Sequence, residues 1–261
     1  MHRDDGASIP KRINILGIAG SLRSGFSGSD LDALPDTRDG LMRFLRHYSE
    51  QRCSNSELAL MAALWGAKRE GALIDFITLS RSGDAGYING SSAALDVRVK
   101  EADGILISSP VYFGANSSLI QDFIEWLHCN SDMQAVLPGK LYSGLAVGAK
   151  RNGGQETTLI FQLADMLNLG FLGVGNSAET TCQYGGTVVA GIKGAVLKDA
   201  LGIETSIGAG SRIARAAQIH AMGKGQRGGP PPRFDFWILQ DRKRMTETLI
   251  QPLVSVLNRE D

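Results

Sequence analysis

Three short stretches bring hydroxyls, glycines, aromatic rings and cations together at close spacing. The first is Gly20-Ser21-Leu22-Arg23, with Ser54-Asn55-Ser56 following later in the chain. Hydroxyls, backbone N–H groups and a helix amino terminus make an anion site, to which Arg23 adds charge. The second is Ser109-Pro110-Val111-Tyr112-Phe113-Gly114-Ala115-Asn116. Pro110 fixes the backbone, Tyr112 and Phe113 offer flat apolar surface, and Gly114 lets a ring approach closely. The third is Gly148-Ala149-Lys150-Arg151-Asn152-Gly153-Gly154-Gln155-Glu156-Thr157. Its paired glycines expose backbone N–H groups that suit the polar edge of a heterocycle.

Each stretch also has a plain structural account. Ser54 or Asn55 caps a helix, Tyr112 and Phe113 cover a sheet edge, and Gly153-Gly154 forms a turn ahead of a capping Thr157. Other chemistries find less support. The first loop is not GxGxxG and lacks the GK[ST] of a P-loop, which disfavours a dinucleotide Rossmann site or an NTPase. His2, His47, His128 and His220 have no ligand-type partner at helical spacing, so no metal site is expected. No GxSxG elbow occurs. Cys182 reads as a structural thiol and Arg242-Lys243-Arg244 as a solvated helix face. Phe234, Phe236 and Trp237 read as packing of the tail, as an anchor for a second copy or as a lid on the pocket.

The three stretches need a scaffold that brings them to one place. Apolar runs at Ile13–Ala19, Ala72–Leu79, Gly104–Ser108, Ser143–Gly148 and Phe171–Val174 read as strands buried on both faces. Helical patterns lie between and after them, at Ser56–Glu70, Ala93–Ala102, Asn116–His128, Glu156–Asn168 and Ile203–Ala221. The alternation predicts an α/β doubly wound domain with a five-stranded parallel sheet in the order 2-1-3-4-5. All three loops then follow the carboxyl ends of strands, at the switch point where such sheets bind ligands. A phosphate cradle on the first and an aromatic platform on the second match the two ends of a flavin mononucleotide.

Two segments fall outside the alternation. Residues 24–52 are an insertion after strand one, in which Leu41, Met42, Leu45 and Tyr48 suit a short amphipathic helix. Residues 222–261 are an extension that opens on a Gly/Pro linker, leaving 12–221 as the binding domain. The chain has 261 residues, including 27 Lys+Arg and 27 Asp+Glu, so the formal charge is zero. That balance argues against a general nucleic-acid binder. No apolar run is long enough to span a membrane. Cys53, Cys129 and Cys182 are widely spaced, which fits a reducing compartment, and a cytoplasmic location is expected. Glycine is abundant at 32 residues, about 12% against a typical ~7%.

The chain resembles the flavodoxin-like NAD(P)H-dependent FMN reductase superfamily, in particular the multimeric flavodoxin quinone reductases and the iron–sulfur flavoproteins. The resemblance rests on Gly20-Ser21-Leu22-Arg23, Ser54-Asn55-Ser56, Ser109-Pro110-Val111-Tyr112-Phe113-Gly114, Gly153-Gly154-Gln155-Glu156-Thr157-Thr158 and Tyr184-Gly185-Gly186, and covers about residues 12–221. It implies noncovalent FMN with NAD(P)H as reductant. Ser21, Arg23, Ser54, Asn55 and Ser56 are then expected at the phosphate. Pro110, Val111, Tyr112, Phe113 and Gly114 are expected along the ring and ribityl chain. Arg151, Gly153, Gly154 and Gln155 are expected at the pyrimidine side, and Tyr184 and Gly185 at the rim. The flavin carries the redox chemistry, so no protein acid or base is named; Tyr112 and Arg151 are the candidates for shaping the acceptor pocket. The implied activity passes two electrons to a quinone, a nitro or azo compound, free flavin or a specialised small molecule, in a homodimer or homotetramer. The alternative is an FMN-binding electron-transfer module that serves a protein partner. The chain departs from its relatives in the inserted 24–52 segment, which splits the phosphate loop, and in lacking a compact cysteine cluster, so no iron–sulfur centre is expected.

Overall fold

The computed structural model describes residues 12–21, 28–51, 53–79, 81–82, 87–88, 92–180 and 183–226. The chain divides into two units, Met1–Met222 and Gly223–Asp261, and the elements belong to the first except for the last turn of the final helix. Phe234, Phe236, Trp237 and Arg242–Arg244 lie outside the described residues, as do Leu22, Arg23 and Cys182.

Strand β1 (Asn14–Ala19) is followed by a 3-10 turn at Gly28–Ala33, helix α1 (Arg38–Glu50) and helix α2 (Asn55–Arg69). Then come β2 (Leu73–Thr78), a short antiparallel pair β3 (Arg81–Ser82) and β4 (Tyr87–Ile88), α3 (Ser92–Glu101) and β5 (Gly104–Pro110). Next are α4 (Ser118–Cys129), the single-turn α5 (Ser131–Gln134), β6 (Leu141–Gly148) and α6 (Gln155–Asn168). The chain closes with β7 (Leu172–Gly173), β8 (Gly185–Val189) and α7 (Ala200–Gln226). The main sheet is parallel and runs β2-β1-β5-β6, with β7 and β8 both pairing with β6. Counting β7 and β8 as one interrupted strand, this is the flavodoxin-like order 2-1-3-4-5 expected from the sequence.

The interruption corrects the sequence reading, which ended the fifth strand at Val174. Leu172–Gly173 pairs only with Leu141–Tyr142, and pairing resumes when Gly185–Val189 meets Gly144–Gly148. The neck of the intervening loop is tied by Asn176. Its N–H donates to Gln183 O (3.1 Å), its Oδ1 accepts from Gln183 N (2.6 Å) and its Nδ2 donates to Gly185 O (3.2 Å).

Two apolar layers flank the sheet. One contains α1, α2 and α7, the other α3, α4, α5 and part of α6. Helix α2 is buried on every side from Ser56 to Ala67, because the sheet, α1 and α7 all pack against it. Burying side chains such as Leu58, Leu60 and Leu64 stabilises the fold by about 1.5–3 kcal/mol each. Small residues let α2 and α7 touch. A Cβ on Gly66 or Gly210 would strike the backbone of the other helix, at Ile207 and Ala63 respectively.

The insertion forms an outer cover on α2. Thr37 caps α1 by accepting from Gly40 N (3.1 Å), and Leu41 and Leu45 point inward at 0% exposure. Trp65 Nε1 donates to Pro35 O (2.6 Å) and Lys68 Nζ to Leu34 O (2.7 Å), so α2 holds the segment that leads into α1. Lys193 donates to the carbonyls of Glu50 and Gln51 at the other end of α1, where a cation offsets the helix dipole.

Candidate active site

The carboxyl ends of β1, β5, β6 and β8 share one edge of the sheet. Gly20 N donates to Ser108 O (3.0 Å), Val111 N to Val147 O (2.9 Å) and Ala190 N to Gly148 O (2.8 Å), which holds the four exit points together.

The loop after β5 is the most distinctive. Tyr112 and Ala115 exchange two backbone hydrogen bonds, at 3.1 and 3.0 Å, around Phe113 and Gly114. Both central residues have positive φ, 54° and 77°, as a type I′ turn requires. Phenylalanine in this region costs roughly 1–3 kcal/mol, and such strain clusters at functional sites. Tyr112 is 52% exposed and Phe113 fully exposed. No atom of a described residue lies within 4 Å of where a Cβ on Gly114 would sit. The turn therefore shows solvent an aromatic-bordered, open backbone face.

Its other side is braced by the loop after β6. Gly154, at φ +100°, is the N-cap of α6 and has no side-chain cap. A Cβ there would lie 2.7 Å from Gly114 Cα and 3.2 Å from Val111 Cγ1. The first N–H groups of α6, which a helix leaves without internal partners, thus open beside the turn. The Gln155 side chain is spent on the loop itself. Its Oε1 accepts from Gly153 N (2.8 Å), and its Nε2 donates to Lys150 O (2.8 Å) and Val188 O (3.3 Å). Gln155 therefore shapes the loop and leaves the edge-reading to backbone. Lys150 and Arg151 are exposed and form no ion pair with a described residue.

At the end of β1, Ser21 is buried beside Gly20, whose carbonyl accepts from Ser117 Oγ (2.6 Å). Ser54 caps α2 in a full capping box. Its Oγ accepts from Glu57 N (3.2 Å), and its own N–H donates to Glu57 Oε2 (2.7 Å). Capping uses a lone pair of the hydroxyl, so its proton remains able to donate to a ligand. Ser56 is 2% exposed, and its carbonyl accepts from Ser108 Oγ (2.8 Å). Asn55 departs from the expected phosphate role. Its Nδ2 is taken by Ile192 O (2.8 Å) and Ala190 O (3.4 Å), while its buried Oδ1 has no partner among the described residues. The free atom is an acceptor, which repels a phosphate and suits a hydroxyl donor.

Tyr184 and Gly185 are misplaced by the sequence reading. Gly185 pairs with Gly144 in mid-sheet, and β8 reaches the site edge only at Val189. A Cβ on Gly185 would collide with Gly144 O, so this glycine serves sheet packing, and Tyr184 lies just before it. The residues that do reach the edge from β8 are Ala190–Gly194, which the sequence reading passed over. The Gly191 and Gly194 pair was the available signal. Glu57 was also missed. It is 0% exposed, and its Oε1 accepts from Thr78 Oγ1 (2.9 Å). Burial first, then Glu57 and Asp30, push the neighbouring Cys53 thiol up to about 12 despite Lys193, so Cys53 is an inert core thiol at neutral pH.

Residues 47–178 match the family model of NADPH-dependent FMN reductase. The chain belongs to this family. An iron-sulfur flavoprotein of Methanocaldococcus jannaschii is 35% identical over 125 residues, 47% of this chain and 62% of that protein. An NAD(P)H dehydrogenase (quinone) of Cupriavidus metallidurans is 27% identical over 176 residues, covering 58% and 85% of the two chains. The chain thus spans about three fifths of the archaeal relative's length. A WrbA-like flavodoxin from Agrobacterium tumefaciens aligns with 80% of this chain and 99% of its own at a TM-score of 0.48 and 16% identity.

The edge fits the FMN that this family implies. The open face of Gly114, next to the exposed Tyr112 and Phe113, would take a flat ring, and the uncapped start of α6 would offer N–H donors to its polar side. The Asn55 Oδ1 would accept from a ribityl hydroxyl, and the Ser54 hydroxyl stands at the α2 amino terminus. Among the described residues no group of three or more His, Cys, Asp or Glu side chains is placed to hold a metal. No described helix is long and apolar enough to cross a membrane.

Proposed function

We propose that the protein is an FMN-dependent NAD(P)H oxidoreductase that delivers two electrons to a small planar acceptor of quinone, nitro or azo type. The observation that carries this reading is the left-handed Tyr112–Ala115 turn, open on the Gly114 face and braced by Gly154 on the other, in a chain of the FMN reductase family. Bound FMN supplies the two-electron chemistry. The chain supplies the rest. Ser21, Ser54 and the α2 amino terminus hold the phosphate end, joined by Arg23 in our reading. Asn55 Oδ1 takes a sugar-alcohol hydroxyl. Pro110–Gly114 seats the ring, and the backbone of Gly154 and the first turn of α6 fixes its polar edge. Lys150 and Arg151 stand beside that edge as cations that form no ion pair with a described residue, which favours the phosphate-rich NADPH over NADH. It also favours an enzyme over a module that only passes electrons to a protein. Tyr112 and Arg151 border the space left for the acceptor.

The same reading places the protein in the cytoplasm as a homodimer or homotetramer. Exposed Ile160, Phe161 and Leu167 on α6 are consistent with subunit contact.

The test is direct. Protein purified or reconstituted with FMN should be yellow, and anaerobic NADPH should bleach it, with electrons recovered in an added quinone. A chain that takes up no FMN, or holds FMN that neither NADPH nor NADH reduces, would end this reading.

A further inference from the structure

A buried polar chain runs from the sheet to the loop after β5. Tyr142, on β6 and 1% exposed, donates from Oη to Gln162 Oε1 at 2.8 Å. Gln162, on α6 and fully buried, donates from Nε2 to Asn116 Oδ1 at 2.6 Å. Asn116 directly follows the Tyr112–Ala115 turn and is half-buried. Gly144 makes the room, since a Cβ there would lie 2.7 Å from Gln162 Oε1 and 2.9 Å from Leu159 Cδ2. Polar groups in a layer that is otherwise Leu, Ile, Phe and Met are costly unless fully paired.

The chain has one sense. Burial holds the Tyr142 phenol well above its ordinary value, so its proton is always present and needs an acceptor. Among the described residues only Gln162 Oε1 accepts it, which turns Gln162 Nε2 toward the loop. Asn116 must then answer with Oδ1, and its Nδ2 is turned away from the core. Reversing both amides would leave the Tyr142 proton without a partner, at a cost of about 1–3 kcal/mol. Among the described residues none accepts from Asn116 Nδ2, and this atom is not buried.

We propose that Asn116 is a binding residue of this site, held by Tyr142 and Gln162 so that its Nδ2 donates to a carbonyl-type oxygen of a planar conjugated ring on the Tyr112–Gly114 turn. Such an oxygen only accepts, so the fixed polarity of the amide is what recognises it. The oxygen belongs to the flavin ring or to the electron acceptor, and the assignment rests on the FMN reading above.

Two equilibrium measurements separate the sources without turnover. One is the Kd of FMN for the apo-protein, read by quenching of flavin fluorescence. The other is the Kd of duroquinone for the oxidised, FMN-loaded protein with no nicotinamide, read from the flavin absorbance. Asn116→Ala should weaken one of the two by about tenfold, the loss expected for one hydrogen bond in a site closed to water. Weaker FMN binding assigns the oxygen to the flavin, and weaker duroquinone binding assigns it to the acceptor. Asn116→Asp keeps an oxygen toward Gln162 and replaces the donor with an acceptor, so it should fold and lose at least as much. Tyr142→Phe releases the polarity and should cost roughly two- to threefold in the same measurement, with nothing added in the Asn116→Ala background. Wild-type FMN binding with both constants unchanged in the two Asn116 variants would overturn this proposal alone. Additive Tyr142 and Asn116 effects would overturn the positioning chain. A wild-type protein that binds no FMN would bring down this proposal and the proposed function together.

Discussion

Gly154 sits so close to Gly114 that a Cβ on the first would lie 2.7 Å from the Cα of the second, while a Cβ on the second would meet no described residue within 4 Å. The two glycines face each other across one contact and yet do different things. Gly154 lets the loops after β5 and β6 close on each other. Gly114 keeps the outer face of the turn open.

Their alanine variants should therefore separate stability from binding. Gly154→Ala forces φ +100° on a residue with a Cβ and pushes it into the neighbouring turn. It should cost about 2–4 kcal/mol, which lowers Tm of the apo-protein by roughly 5–15 °C. Gly114→Ala carries only the φ penalty and should shift Tm by no more than about 5 °C. Its methyl group points into the ligand face, so its FMN affinity should fall at least as far as in Gly154→Ala. Thermal melts of the apo-proteins and FMN titrations of both variants decide this. Equal melting losses with unchanged affinity in Gly114→Ala would remove the turn from the flavin site.

Ser54 has two tasks that one substitution can weigh. Removing the cap from Glu57 N should destabilise the fold by about 1 kcal/mol. Ser54→Ala also removes the hydroxyl proton left over for a phosphate, so FMN should bind more weakly by roughly tenfold. Ser54→Asp keeps the cap and sets a charge against the phosphate. It should retain stability and lose affinity further. If Ser54→Asp binds FMN as the wild type does, the phosphate lies elsewhere.

Much of the scaffold was legible because periodicity and punctuation agreed. Strands such as Leu141–Gly148, buried along their whole length, contain apolar runs that the sequence shows, here Ser143–Gly148, and loops bounded by Gly, Ser and Pro fell at their carboxyl ends. The fifth strand misled because its pairing stops at Gly173 and restarts at Gly185 in a segment whose continuity depends on Asn176. A side chain that ties two distant backbone segments has no local signature. The same limit explains the site errors. Tyr184-Gly185 had the composition of a rim, but register against Gly144 sets its height on the sheet. Asn55 had the composition of a phosphate ligand, but Ala190 and Ile192, far along the chain, claim its amide. Helix α1 was readable from Leu41 and Leu45, whereas its docking on α2 through Trp65 and Lys68 was not.

Lys150 and Arg151 lead to a prediction about the reductant. Both are exposed beside Gly153-Gly154 and form no ion pair with a described carboxylate. Replacing both with Ala should raise the KM for NADPH about tenfold or more, since a charge-assisted hydrogen bond contributes about 1.5–3 kcal/mol. The KM for NADH should change much less, and the wild-type preference for NADPH should fall as salt is raised. Steady-state kinetics with both nucleotides at two ionic strengths checks this. Parallel changes for the two nucleotides would show that these cations do not read the additional phosphate.

The insertion also sets an alkaline limit on stability. Burial, a hydrogen bond to Asp30 and its charge push the Tyr48 phenol from 10.0 up to about 12. The nearby Cys53 thiol rises from 9.0 to about 12, chiefly by burial. An acid whose pKa is higher in the folded state holds its proton more tightly there than in the unfolded chain. Below the unfolded value both states are protonated and the stabilisation is complete. Above it the unfolded chain gives up its proton first, so stability falls as pH rises toward the folded value. The loss should therefore begin near pH 9, as Cys53 becomes ionisable in the unfolded chain, steepen above 10 as Tyr48 joins it, and level off only near 12. Cys53→Ala removes the first of these groups, so its decline should begin about one pH unit later, at the ordinary value of Tyr48, and should be shallower. Chemical denaturation followed from pH 7 to 11 measures both curves. If the wild type and Cys53→Ala decline from the same pH with the same slope, the thiol is not shielded by the α1–α2 cover as the structure shows it.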